Sequence, residues 1–345
     1  MKEFYPWSKA VYDETIKKYL DGDFSVLDIQ LSGKCNFNCV YCDSPDRNIK
    51  AQTDFKHLEN LVREDKGKYD WMFVCGLGEP LHNENKTVLL QLLALCKDVG
   101  IKCSIFTNGS NMDESIMHYV QEGILYPIIK VDTFSLELAQ ELYGSKNACK
   151  TLQTTEDLFS IARDINDSVC HVAASIVPTT KNLDEIPDIV KKCIEYNTFP
   201  LIGQLEYAGN AIGSYEDLLL TQEQLIELKE KVNSLIGMDY NVPICPAVIS
   251  GIHVASNGYV TVDRKSGLSC SWFWLETPDV ENICDVNQIK SFCEAEQKIK
   301  EYRKKSIDQL LVLKKDIQEY PFGGCGGNVK DLFDDYLNIQ AKLTV

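Results

Sequence analysis

The stretch Cys35-Asn36-Phe37-Asn38-Cys39-Val40-Tyr41-Cys42 puts three cysteines within eight residues, directly after the apolar run Val26-Leu27-Asp28-Ile29-Gln30-Leu31. That run reads as a strand. A strand feeding a loop places the thiols at its carboxyl end, where α/β folds build their sites. Cysteine thiolate is the usual ligand of iron–sulfur clusters, and three thiolates at this spacing can hold three corners of a cubane. The fourth iron then has no protein ligand, so a small molecule can chelate it. Zinc is the competing reading, but a tetrahedral site takes four ligands from two close pairs, and three tightly spaced cysteines do not supply that. Inert packing is the other alternative. Buried cysteines occur singly, whereas these share a polar loop with Lys34, Asn36 and Asn38.

The elements that must position this loop alternate along the chain. Ser8 to Leu20 reads as an amphipathic helix ahead of the first strand. A second strand spans Tyr69 to Cys75 and ends in Gly76-Leu77-Gly78-Glu79-Pro80. The helix Thr87 to Val99 follows, then a third strand, Lys102 to Phe106, ending in Thr107-Asn108-Gly109. A fourth strand, Pro127 to Val131, ends at Asp132, and a fifth, Val169 to Val177, contains Ser175. A sixth is expected over Leu201 to Tyr207, ending in Glu206 and Tyr207, with helices over Leu183 to Tyr196 and Thr221 to Ile236. Six strand–helix units imply a parallel sheet, curled by right-handed crossovers. Several strand ends carry polar or glycine residues with two readings each. The Gly76–Pro80 element is a turn or a place where backbone approaches a ligand. Thr107-Asn108-Gly109 is a turn or a cavity lining. Lys130 is a surface lysine or a charged donor. Glu206 and Tyr207 face a substrate or cap the strands.

Beyond residue 237 the alternation breaks, and Gly251 to Asp263 reads as a hairpin about Asn257-Gly258. Cys245 precedes it, Cys270 and Cys284 follow, and Cys325 sits in Phe322-Gly323-Gly324-Cys325-Gly326-Gly327. Ile299 to Glu319 is a charged helix with a solvated face.

A chain of 345 residues buries one large core or a main domain plus a smaller one. Its 44% hydrophobic and 25% charged residues are ordinary for a soluble globular protein. The net charge of −16 disfavours nonspecific binding to nucleic-acid phosphates. Fourteen scattered cysteines, with no basic-then-apolar segment at the start, do not read as a secreted disulfide framework. The longest apolar stretch, Val88 to Cys96, is far too short to span a bilayer. A reducing cytoplasm fits this usage, and neither nucleic acid nor membrane is an expected partner.

The pattern C-x3-C-x-aromatic-C resembles the radical S-adenosylmethionine (radical SAM) superfamily, and the C-terminal cysteines resemble its SPASM/twitch subfamily, from about Val26 to Gly327. The resemblance implies an α/β fold, a partial (β/α)6 TIM-like barrel with a small C-terminal α+β extension holding an auxiliary cluster. It divides the chain into an N-terminal helix (1–24), the barrel (25–237) and an auxiliary-cluster domain with a C-terminal helix (238–345). It implies a 4Fe-4S cluster on Cys35, Cys39 and Cys42, with S-adenosylmethionine near Tyr41, Gly76, Gly78, Glu79, Thr107, Asn108, Lys130 and Ser175. Strand-edge carbonyls and Glu79 would receive the methionine ammonium group. Lys130, where the subfamily often has serine, would pair with its carboxylate, and Ser175 would contact the ribose. One auxiliary 4Fe-4S cluster is expected on Cys245, Cys270 and Cys325, with Cys284 or Asp263 as fourth ligand, because the family's cysteine at the Asp263 position and its dense second set are absent. The other cysteines read as packing.

The implied chemistry is reductive cleavage of S-adenosylmethionine to a 5′-deoxyadenosyl radical that takes hydrogen from the substrate, with an electron donor such as flavodoxin or ferredoxin. Glu206 and Tyr207 are the candidate substrate-facing residues. Two substrate classes stand: a small molecule such as a sugar or aminocyclitol, and a ribosomally made peptide receiving a thioether, a crosslink or an oxidation. The 34 residues before Cys35 are too few for a peptide-recognition domain, and the expectation leans to the small molecule. A non-catalytic iron–sulfur or zinc protein is the remaining alternative.

Overall fold

The computed structural model describes residues 1–44, 48–240, 245–264, 267–270, 280–316 and 322, with 305–316 as helical backbone alone. The barrel strands are β1 (Val26–Ile29), β2 (Trp71–Val74), β3 (Lys102–Thr107), β4 (Leu125–Lys130), β5 (Ala173–Ile176) and β6 (Phe199–Ile202). Each is paired in parallel with the next in sequence. The helices between them are α2 (Phe55–Glu64), α3 (Asn83–Val99), α4 (Glu114–Gln121), α5 (Leu136–Tyr143), α6 (Ala148–Asp164) and α7 (Ile186–Glu195). Before β1 stands α1 (Lys9–Leu20), whose N-cap Ser8 accepts from Val11 N. After β6 come the short α8 (Tyr215–Leu218) and α9 (Gln222–Ile236), which opens on a capping box at Thr221 and Gln224.

The extension does not stand apart from the barrel. After α10 (Pro246–Ser250), β7 (Gly251–Val254) pairs in parallel with β1, opposite β2. It turns through Asn257-Gly258 into antiparallel β8 (Tyr259–Asp263), followed by β9 (Val280–Asp285). One nine-stranded sheet therefore runs β6-β5-β4-β3-β2-β1-β7-β8-β9. The expected hairpin is present, but it continues the barrel sheet past β1. The last helix, α11 (Cys293–Asp316), ties back through the fully buried Arg303, whose guanidinium donates to Ile249 O at 2.7 Å and Gly267 O at 3.1 Å.

The sixth strand differs from expectation. β6 covers Phe199–Ile202, and its last ladder bond is Gly203 N to Ile176 O, after which the chain leaves the sheet. Leu205 keeps an apolar rhythm that mimics a strand, yet it is buried in a separate cluster with Phe37, Tyr41 and Tyr143. Glu206 and Tyr207 thus lie in a connection, not at a strand end.

Register identifies the inner face. Asp28 lies beside Phe73 and His253, and Phe73 beside Ser104. Side chains alternate along a strand, so Gln30, Cys75, Phe106, Ile128 and Lys130 share that face. The amino ends of the strands are closed by residues 4–7. Tyr5 packs on Trp71 and Tyr126 at 5.5 and 5.4 Å, Trp7 on Phe106 at 6.2 Å and Phe4 on Phe199 at 6.5 Å. Lys102 Nζ donates to the Tyr5 hydroxyl at 2.7 Å. With that end filled, chemistry is confined to the carboxyl ends.

Candidate active site at the carboxyl ends of the strands

The segment after β1 folds across the carboxyl ends and is held from four directions. Asn85, in the first turn of α3, accepts from Ser32 Oγ at 2.7 Å and donates to Ser32 O and Glu79 O. Glu79 N donates to Lys34 O at 2.9 Å. Farther along, Asn38 N and Val40 N donate to Tyr143 O and Leu142 O at 3.0 and 2.9 Å, satisfying carbonyls at the α5 terminus that have no helical partner. Asn210 N reaches Cys42 O at 2.8 Å, its Nδ2 reaches Cys39 O at 3.0 Å, and Ser214 Oγ reaches Val40 O at 2.9 Å. The loop is half apolar. Phe37, Cys39 and Tyr41 are buried among Leu142, Tyr143, Leu205 and Leu218, with Phe37 stacked on Tyr143 at 5.8 Å.

Two glycines permit this approach. Gly144 (φ +56°) and Gly209 (φ +53°) are left-handed, and a Cβ on them would stand 2.2 Å from Asn38 O and 2.5 Å from Cys42 O. No single-residue signal in the sequence singles them out, and the sequence reading missed both, as it missed Asn85, Asn210 and Ser214.

Electrostatics converge on Cys39. Burial pushes its thiol up to about 12, opposed by Lys130 and reinforced by Cys42, Cys35 and Asp132. Lys130 Nζ, at the end of β4, donates to the Tyr41 hydroxyl at 3.0 Å and lies 4.4 Å from that ring and 3.6 Å from Asp132 Oδ2. Burial works against the ammonium, but Asp132, Cys39, Cys42 and Asp43 outweigh it, so its pKa stands above the ordinary lysine value. Asp132 is fully engaged: Oδ2 accepts from the Tyr41 hydroxyl and Oδ1 from Val177 N at 2.7 Å.

These residues suit a cluster. A buried thiol held neutral by desolvation needs a nearby cation to ionise, and a coordinating metal deprotonates it outright. Phe37 N lies 3.4 Å from Cys35 Sγ, and Asn108 Nδ2 lies 4.0 Å away, N–H groups of the kind that tune clusters. Among the described residues no three His, Cys, Asp or Glu side chains converge closely enough to hold one metal ion. A cubane differs from that, because each thiolate binds a separate iron and the ligands stand farther apart.

The other expected residues divide. Glu79 is buried and accepts from Asn108 N at 2.7 Å, Leu81 N at 3.0 Å and the Thr107 hydroxyl. Of about four lone-pair positions on a carboxylate, at most one is left for a ligand, so its first task is to join the β2 and β3 loops. Gly76 and Gly78 are both left-handed, and a Cβ on Gly78 would meet Ser32 O at 2.6 Å. Asn108 Nδ2 donates to Asn36 Oδ1 at 3.1 Å, which brings the third strand end onto the cysteine loop. Ser175 stands beside Lys130 in register. Tyr207 is 64% exposed, packed edge-on against Tyr215 at 5.0 Å. Glu206 is the largest charged contributor, after burial, to the raised pKa of Tyr215.

In the extension, Cys245, Cys270 and Cys284 are all buried, and burial pushes Cys284 up to about 11 against Lys298. Cys284 pairs with Val260 and Asp263 with Val280, so the two alternative fourth ligands lie toward opposite ends of the β8–β9 ladder. Cys325 lies outside the described residues.

Glu79 yields one prediction. Burial holds its carboxyl above the ordinary glutamate value, with the Asn108, Thr107 and Leu81 donors pulling it back. Glu79→Gln sets an amide donor against a backbone N–H and costs about 1–3 kcal/mol in urea unfolding. A raised folded-state pKa contributes stability that is fully present below the unfolded value and is lost as pH rises through the folded one. The penalty of the substitution is therefore largest in acid and shrinks toward pH 8. A penalty that grows with pH would contradict the burial of this carboxyl.

Residues 29–193 match the Radical SAM superfamily. Two uncharacterized proteins of Methanocaldococcus jannaschii are similar in sequence. MJ0804 is 26% identical over 223 residues, 60% of this chain and 71% of that protein. MJ0907 is 28% identical over 182 residues, 49% of this chain and 58% of that protein. Among solved structures, Streptococcus suis SuiB bound to precursor peptide SuiA has TM-score 0.55 at 17% identity, covering 80% of this chain and 68% of SuiB. The structure of anSMEcpe with bound AdoMet and Cp18Cys peptide has TM-score 0.57 at 15% identity, covering 93% of this chain and 99% of that one. No described helix is long and apolar enough to cross a membrane.

Proposed function

We propose, from the premise that this chain carries a radical SAM domain and is a radical SAM enzyme, that it modifies a side chain of a peptide substrate. The carrying observation is the cysteine loop laid over the strand ends against Lys130, with the opposite end of the barrel filled. When bound, the 4Fe-4S cluster and S-adenosylmethionine supply a primary carbon radical able to take hydrogen from an unactivated carbon.

The chain's own residues then do the following. Cys35, Cys39 and Cys42 hold three irons. Lys130, which among the described residues donates to Tyr41, turns its remaining N–H groups toward the methionine carboxylate. The strand-edge carbonyls at Gly76 and Gly78 receive the ammonium group, and Ser175 stands beside Lys130 for the ribose. Asp132 and Tyr41 fix the lysine. Residues 4–7 keep water from entering at the amino ends. Cys245, Cys270 and Cys325 remain the proposed ligands of one auxiliary cluster, with Cys284 or Asp263 as the fourth.

The peptide reading replaces the lean toward a sugar or aminocyclitol. Residues 1–34, set aside in the sequence as too few for peptide recognition, serve as barrel plug, helix and first strand. Of the neighbours named above, both solved structures hold peptides. The test is anaerobic, dithionite-reduced enzyme given S-adenosylmethionine and, separately, a panel of cysteine- and serine-containing peptides and a panel of sugars and aminocyclitols. Faster 5′-deoxyadenosine release together with a peptide of altered mass is expected. Turnover of a sugar with no response to peptides would overturn the substrate class, and no nucleoside under any condition would overturn the radical reading.

A further inference from the structure

Cys75, Asp28 and His253 come from three neighbouring strands and meet on the inner face of the sheet. Cys75 Sγ donates to Asp28 Oδ1 at 3.1 Å, and Asp28 Oδ2 lies 3.1 Å from His253 Nδ1. Asp28 and His253 are fully buried, and His253 Nε2 has no hydrogen-bond partner among the described residues. Cys75 is partly exposed at the carboxyl end of β2, immediately before Gly76. The order inward from the cavity mouth is thiol, carboxylate, imidazole. A buried acid–histidine pair is costly, and apolar residues of similar volume often serve stability as well or better. Such perturbed constellations gather at functional sites. Cys96 and Cys103 offer no equivalent, since they are buried together on the outer face beside Met72.

Resting on the radical reading above, we propose that Cys75 is a hydrogen-atom donor to a carbon radical at the barrel mouth, and that Asp28 and His253 return the proton that restores its thiol. An S–H bond is weaker than the C–H bonds of a peptide or nucleoside, so transfer from sulfur to a carbon radical runs downhill. One S–H bond breaks, one C–H bond forms, and a sulfur radical remains. One electron from the low-potential donor that the reaction already requires, and one proton from Asp28, regenerate the thiol. His253 Nδ1 reprotonates the carboxyl, and Nε2 takes a proton from water. The site thus equips the enzyme to quench a substrate radical with a solvent-exchangeable hydrogen.

The test uses the full chain reconstituted with iron and sulfide, with S-adenosylmethionine and dithionite in D2O and no added substrate. Wild type is expected to yield 5′-deoxyadenosine mostly one mass unit heavier, because its S–H exchanges with solvent. Cys75→Ala and Cys75→Ser lose that mass shift while still forming nucleoside. Serine keeps the bond to Asp28, but its O–H bond is too strong to give up hydrogen. Unlabelled nucleoside from wild type, or equal labelling in the variants, overturns the proposal. No nucleoside from wild type instead overturns the radical reading on which it rests. A second readout needs no cofactor: the infrared S–H band of Cys75, isolated by difference against Cys75→Ala, shifts to higher frequency in Asp28→Asn. An unmoved band breaks the link to Asp28 and overturns the relay.

Discussion

Replacing Cys35, Cys39 and Cys42 together by alanine is expected to lower the iron content of the anaerobically reconstituted chain by about four per chain and to reduce 5′-deoxyadenosine to background. All three thiols lie within one loop, and Cys39 is held neutral by burial until a metal supplies the compensating charge. The fold should persist, because the loop backbone is anchored by bonds that do not involve sulfur, those from Asn38, Val40, Asn210 and Ser214. If the wild type holds about eight irons and the variant about four, an auxiliary cluster resides in the extension. About four in wild type and none in the variant would remove the auxiliary cluster and leave the radical chemistry standing. Unchanged iron in the variant, or zinc in its place, would show that the loop does not carry the cluster.

The second large effect comes from a single methyl group. Gly144→Ala is expected to abolish cluster assembly while the barrel still folds. Holding a non-glycine residue in the left-handed region costs about 1–2 kcal/mol. Here the new Cβ also lands 2.2 Å from Asn38 O, a backbone atom between Cys35 and Cys39. Relief requires the loop to lift from α5, breaking the bonds from Asn38 N and Val40 N. Gly237→Ala separates the two terms. That glycine caps α9 at φ +73° with no described atom within 4 Å of an added methyl, so alanine there costs only the conformational term, about 1 kcal/mol. Urea unfolding and iron counts on both variants decide the matter. Stability loss with full iron is expected for Gly237→Ala, and stability loss with little iron for Gly144→Ala. Full iron in Gly144→Ala would mean that the loop tolerates displacement and that the close approach is incidental.

The eight-residue cysteine stretch was legible because its chemistry is local: spacing along one loop brings thiols together wherever the chain goes. Strand and helix alternation was legible for the same reason, and the polar ends of β2, β3 and β4 could be recognised before their neighbours were known. The hairpin about Asn257-Gly258 followed from turn chemistry. The sixth strand misled because apolar rhythm persists past Ile202 into a connection that buries Leu205 elsewhere. That placed Glu206 and Tyr207 at a strand end they do not occupy.

Tertiary structure alone decided the rest, since those features join residues far apart in sequence. His253 meets Asp28 across 225 positions only because β7 pairs with β1, a neighbour that periodicity cannot name. A lone aspartate inside Val26-Leu27-Asp28-Ile29 was the signal of something buried and partnered there, but not of what. Lys130 became a partner of Tyr41 and Asp132, and a neighbour of Cys39 in charge, only when β4 ended beneath the cysteine loop. The sequence by itself determined which groups the chain owns and the chemistry they can perform. The fold decided which of them share one cavity, because close approach of distant backbone depends on sheet order and on left-handed glycines whose role no local pattern reveals.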